Sequence, residues 1–93
     1  YPEMEEYLPN TAFYAITVKE GTDPAIIEYY TEVFQQAFES SEYQDMLANV
    51  GLTPLGLIGD EAREYIDTYR KNSISVLYDT GAITSSPADL GIE

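Results

Sequence analysis

Between Pro24 and about Glu39, apolar residues return every three or four positions, at Ile26, Ile27, Tyr30, Val33, Phe34, Ala37 and Phe38. At about 100° per residue this spacing lines one broad side of an α-helix and leaves Glu28, Glu32 and Gln35 on the other. The start of the helix is written into the preceding residues. Gly21 to Pro24 stop an extended run, Asp23 is a natural N-cap, and Pro24 suits the first helical position. A wide apolar stripe has to be covered, yet the chain has only 93 residues. That length allows one modest domain, because short chains bury a smaller share of their surface.

The flanking sequence predicts an α/β arrangement. Residues 1–10 carry two prolines and read as an extended or turning lead-in. Thr11 to Val18 is β-branched and aromatic with apolar residues on both faces, as in a strand covered on both sides. After the long helix, Ser41 followed three residues later by Gln44 predicts a capping box and a short second helix ending near Asn49. Gly51 is the expected left-handed stop. Leu52 to Ile58 reads as a second strand, made irregular or peripheral by Pro54 and Gly56. Asp60 is expected to cap a third helix that runs to about Tyr78, with Ala62, Tyr65, Ile66, Tyr69, Val76 and Leu77 on one face and Gly81 at its end. Arg63, Asp67 and Lys71 stand four apart on the exposed side. Residues 82–93 form a turn-rich tail expected to lie on the body of the fold. The predicted order is strand, helix, short helix, strand, helix, tail, in a single domain over 1–93.

Charge and composition remove whole classes of function. Seventeen acidic residues face four basic ones, Lys19, Arg63, Arg70 and Lys71, for a net charge of −13. Such a chain repels phosphate backbones and anionic lipid, so neither nucleic acid nor an acidic membrane surface is an expected partner. Cysteine and histidine are both absent. Their absence takes away thiol chemistry, disulfides, the usual zinc ligands and the commonest general base. No cofactor is expected, and no apolar run approaches the roughly 20 residues that span a bilayer. The chain opens at Tyr1 without a charged-then-apolar leader, and reads as a fragment or a processed form.

The signals also occur in a familiar order. Lys19-Glu-Gly-Thr-Asp-Pro24 follows the strand-like run, Ser40-Ser-Glu-Tyr43 breaks the helices, and Gly51-Leu-Thr-Pro54 follows. Tyr78-Asp-Thr-Gly81 and Ser86-Pro-Ala-Asp-Leu-Gly-Ile92 close the chain. This series resembles the last third of the tripartite tricarboxylate transporter receptors, also called Bug-type extracytoplasmic solute-binding proteins. In that family a Pro-x-Gly-Thr-Pro type turn precedes the long helix, whereas here one residue separates Thr22 from Pro24. No single motif is specific; the ordered series over nearly the whole chain carries the resemblance. It implies the C-terminal part of a type II periplasmic-binding-protein lobe. It further implies a full-length parent that captures a small carboxylate and delivers it to membrane permease subunits. The parent would be periplasmic or otherwise extracytoplasmic, with or without a lipid anchor. The segment alone is expected not to bind the ligand, and to form a homo-oligomer through uncovered edges and faces.

Within that resemblance the candidate ligand contacts are Thr11, Phe13 and Tyr14, through hydroxyls or by packing against a carbon skeleton. Packing alone is the plainer role for Phe13 and Tyr14, and starting a strand is the plainer role for Thr11. The helix start at Thr22-Asp23 would suit an anion, but Asp23 itself occupies it. Glu3, Glu5 and Glu6 lack the pattern of a calcium loop. Asp60, Glu61 and Glu64 read as complements to a helix dipole rather than as paired catalytic acids. No catalytic residue and no metal ligand is predicted, and the chain is not expected to be an enzyme. The nine tyrosines leave a second class of function open, a small acidic interaction domain that uses a tyrosine-rich surface.

Overall fold

A computed structural model describes residues 1–92. Of the described residues 61% are helical, and none lies in a strand. A 3-10 helix spans Pro2–Tyr7, followed by α1 (Pro24–Glu39), α2 (Ser41–Val50), α3 (Gly59–Asp79) and a 3-10 turn at Ala88–Leu90. The residues gather into two compact units, one built from Tyr1–Tyr14 and the chain from Gly59 onward, the other from Ala15–Ile58.

The α/β expectation is therefore corrected, and with it the assignment to a periplasmic-binding-protein lobe. Both predicted strands, Thr11 to Val18 and Leu52 to Ile58, lack a ladder. A strand is held by pairing with another strand, and neither run finds one among the described residues. Propensity in Thr11 to Val18 is satisfied only in that the run does not enter a helix.

The helices, in contrast, begin and end on local chemistry. At α1 the Asp23 carboxylate accepts a hydrogen bond from the Ala25 N–H at 2.8 Å, and Pro24 takes the first helical position. Ser40 ends α1 and caps α2, its hydroxyl oxygen accepting from the Tyr43 N–H at 3.3 Å. The predicted cap at Ser41 thus moves back by one residue. The Gln44 side chain does not close a capping box; its amide donates to the Phe38 carbonyl at 2.6 Å. Gly51 ends α2 at φ 74°, while the Leu52 N–H reaches back to the Leu47 carbonyl and the Gly51 N–H to that of Ala48. These two bonds make a Schellman motif, in which a left-handed residue satisfies carbonyls that a helix end would orphan. The same pair recurs after α3, where Ala82 bonds back to Leu77 and Gly81 to Tyr78. Asp60 is not a cap; it lies inside the first turn of α3 and pairs with Arg63 at 3.1 Å.

In the unit formed by Ala15–Ile58, packing centres on Phe38. Its ring lies 5.7 Å from that of Phe34 and 5.9 Å from that of Tyr43. Gly56 closes on the same ring. A Cβ at that position would meet the Phe38 ring at 2.7 Å, and its φ is +64°. Both the backbone angle and the space require glycine there. Leu47, 6% exposed, is the buried apolar residue of this unit.

In the other unit, α3 carries the lead-in. The Asn72 amide donates to the Leu8 carbonyl at 2.9 Å, and the Ser73 hydroxyl donates to the Asn10 side-chain oxygen at 3.2 Å. The tail ends in a reciprocal cap. Asp89 accepts from the Ser86 hydroxyl at 2.7 Å and from its N–H at 3.0 Å, and the Asp89 N–H returns to the Ser86 hydroxyl oxygen. A third Schellman pair, Ile92 to Pro87 and Gly91 to Ala88, turns the chain so that Ile92 is buried at 5% exposure.

Candidate functional site

Phe13 leaves the extended run and enters the packing of α3. Its ring meets Tyr69 edge-on at 5.1 Å and Tyr65 at 6.2 Å, which is the favoured geometry for aromatic pairs. Successive residues of an extended chain point to opposite sides, so Tyr14 turns outward, with 85% of its surface in solvent. Thr11 is exposed as well. The three predicted ligand contacts are thus neighbours in sequence that do not converge. Phe13 is a packing residue, while Thr11 and Tyr14 present side chains to water.

An open notch of about 270 Å³ lies elsewhere in the same unit, lined by Met4, Tyr7, Asn10, Val76, Asp79 and Thr80. No local pattern in the sequence marks it, because it arises where the lead-in meets the end of α3, 60 or more residues away. Its polar groups are already committed or acidic. The Thr80 hydroxyl donates to the Val76 carbonyl at 2.8 Å. The Tyr7 phenol is pushed above its ordinary pKa, first by its hydrogen bond to Glu6, then by the Glu6 charge, with a smaller contribution from Asp79. The single phenolic proton is already given to Glu6, and the surrounding charge disfavours an anion.

Three of the four basic residues are engaged within α3. Lys71 and Arg70 reach Asp67 at 2.8 and 3.0 Å, and Arg63 reaches Asp60. Of the expected chain of charges four apart, the Asp67–Lys71 step is formed, while Arg63 turns back to Asp60. Hydrogen bonds from Lys71 and then Arg70 hold the Asp67 carboxyl below its ordinary range, and those from the Ser86 hydroxyl and N–H do the same for Asp89. Among the described residues no three carboxylates are grouped as a metal site. No described helix is long and apolar enough to cross a membrane.

The predicted face of α1 is the largest departure in burial. Ile26, Ile27, Tyr30 and Val33 are all exposed, while Phe34 and Phe38 are half-buried. Comparison with protein-family models, curated proteins and solved structures returns no match.

Proposed function

We propose that this chain is a segment of an extracytoplasmic solute-binding receptor of the tripartite tricarboxylate transporter type, whose complete form captures a small carboxylate for membrane permease subunits. One observation carries the reading: five short signals occur in the family's order, and each falls on a turn, cap or break. Lys19 to Thr22 closes a turn through the Thr22 N–H and the Lys19 carbonyl. Ser40 separates two helices, Gly51 and Gly81 end helices, and Pro87 to Ile92 forms the terminal Schellman turn. Motifs that did no structural work would be weaker support.

In this reading the segment holds no ligand by itself. It is non-enzymatic and contributes Thr11 and Tyr14, whose exposed hydroxyls suit a carboxylate, while Phe13 packs against Tyr65 and Tyr69. The net charge of −13 makes unaided capture of an anion unfavourable. The native product is extracytoplasmic, with or without a lipid anchor.

The test is the intact mass and cellular fraction of the native gene product, followed by calorimetric titration with citrate and succinate. A product several-fold larger, found outside the cytoplasmic membrane and binding one of these acids, supports the receptor. A cytoplasmic product of about this length ends that reading. The exposed apolar face of α1 favours a second reading, an acidic tyrosine-rich interaction domain that acts as it stands.

A further inference from the structure

The notch where the lead-in meets the end of α3 has walls of two kinds. Met4, Val76 and the Tyr7 ring supply apolar surface. The polar side chains between them are mostly acceptors, because their protons are spent elsewhere. The Tyr7 phenol donates to Glu6 and the Thr80 hydroxyl to the Val76 carbonyl, which leaves each oxygen with lone pairs only. Asp79 adds a carboxyl group, and no base pairs with it among the described residues. Of the lining side chains, the Asn10 amide alone still has protons to give, since its oxygen accepts from Ser73. Asp79 also closes α3, where the helix dipole is negative and no basic residue of the last turn offsets it.

We propose that this notch binds a small aliphatic ammonium ion, with its N–H groups toward Asp79 and the Thr80 and Tyr7 oxygens and its methylenes against Met4 and Val76. An ammonium has three donors and no acceptor, which is the complement of what the lining offers. The Tyr7 ring adds attraction for a cation through its negative face. A volume of about 270 Å³ falls just under the roughly 300–1,000 Å³ of sites for drug-sized ligands, and suits a stem of a few carbons. A carboxylate would be repelled by Asp79 and Glu6, and a neutral alcohol would forgo the charge. The net charge of −13 draws any cation toward the chain. What distinguishes the notch is an apolar wall beside an acid that has no base. The proposal does not rest on the receptor reading, whose ligand is a carboxylate and whose contacts are Thr11 and Tyr14.

The chain's two methionines make an internal comparison, since Met4 lines the notch and Met46 lies in α2. Both methyl groups are labelled with carbon-13, and butylammonium is titrated in at about 0.15 M salt, where diffuse attraction is screened beyond about 8 Å. The Met4 signal should shift saturably, with half-saturation at roughly 1–10 mM for a ligand of so few atoms. Met46 should stay in place. Equal movement of both methyls, or an equal response to ammonium chloride, would mean counterion attraction only and overturn the proposal. The absence of a saturable Met4 shift would overturn it too. Asp79→Asn removes a charge that the helix dipole disfavours, so the fold is kept. It should weaken binding at least fivefold with helicity by circular dichroism unchanged, and unaltered affinity would sink the role given to Asp79. Nα-acetyl-lysine amide carries the same ammonium on a peptide unit. Binding of this compound tenfold tighter than butylammonium would assign the notch to a partner protein's side chain, and the free amine would be ruled out.

Discussion

Helix α1 and the extended run before it, Thr11 to Val18, carry equally strong sequence signals, and only the helix forms. The helix closes its hydrogen bonds within its own residues, and its cap needs nothing farther away than the bond from Ala25 to Asp23. The extended run is β-branched and aromatic, but its backbone groups can be paired only by another strand, and none is supplied among the described residues. One signal is local and self-sufficient; the other is conditional on a partner. Leu52 to Ile58 lies between these cases. It forms no ladder, but Gly56 seats it against Phe38.

The strongest way to break that contrast is Gly56→Ala. The left-handed angle costs about 1–2 kcal/mol for an L-residue, and pushing Phe38 aside adds about 1–3 kcal/mol. A loss of about 3 kcal/mol in urea unfolding is expected, and a neutral result would mean that this segment is not seated on Phe38. Amide hydrogen exchange sharpens the contrast next. The amides of residues 12–18 should exchange at least about tenfold faster than those in the middle of α1, since exchange follows local opening. Slow exchange in the run would reveal a backbone pairing that is not seen among the described residues.

Asp23→Ala tests self-sufficiency at the helix itself. Loss of this cap should cost about 1 kcal/mol and fray the first turn, seen as lower helicity by circular dichroism. The smallest effect belongs to the surface pairs of α3. The Asp67 carboxyl is held below its ordinary value, so its contribution is present above the usual carboxylate range and is lost as pH falls through the depressed value. Lys71→Ala should move the Asp67 titration back upward in an NMR pH series, with little change in unfolding, because both partners are about half exposed.

What could be read from the residues divides along the same line. The positions of Asp23, Pro24, Gly51 and Gly81 located helix ends to within a residue or two, because caps and left-handed stops are decided by neighbours in sequence. Ser41 misled by one position because Ser40, beside it, offers the same hydroxyl in the extended geometry that a cap needs. The strands misled because pairing is non-local. The notch at Met4 and Asp79 was invisible for the same reason. For the candidate contacts, alternation along an extended chain already separates Phe13 from Tyr14. Which of them turns inward depends on Tyr65 and Tyr69, more than fifty residues away.

Phe13, set edge-on between Tyr65 and Tyr69, also gives the chain an optical reporter. With no tryptophan in the sequence, near-ultraviolet dichroism comes from tyrosine and phenylalanine, and rings fixed in a chiral arrangement contribute most. A Phe13→Trp chain would carry a single indole at the junction of the lead-in and α3. Its emission would follow the docking of those two elements in real time, without interference from the tyrosines of α1.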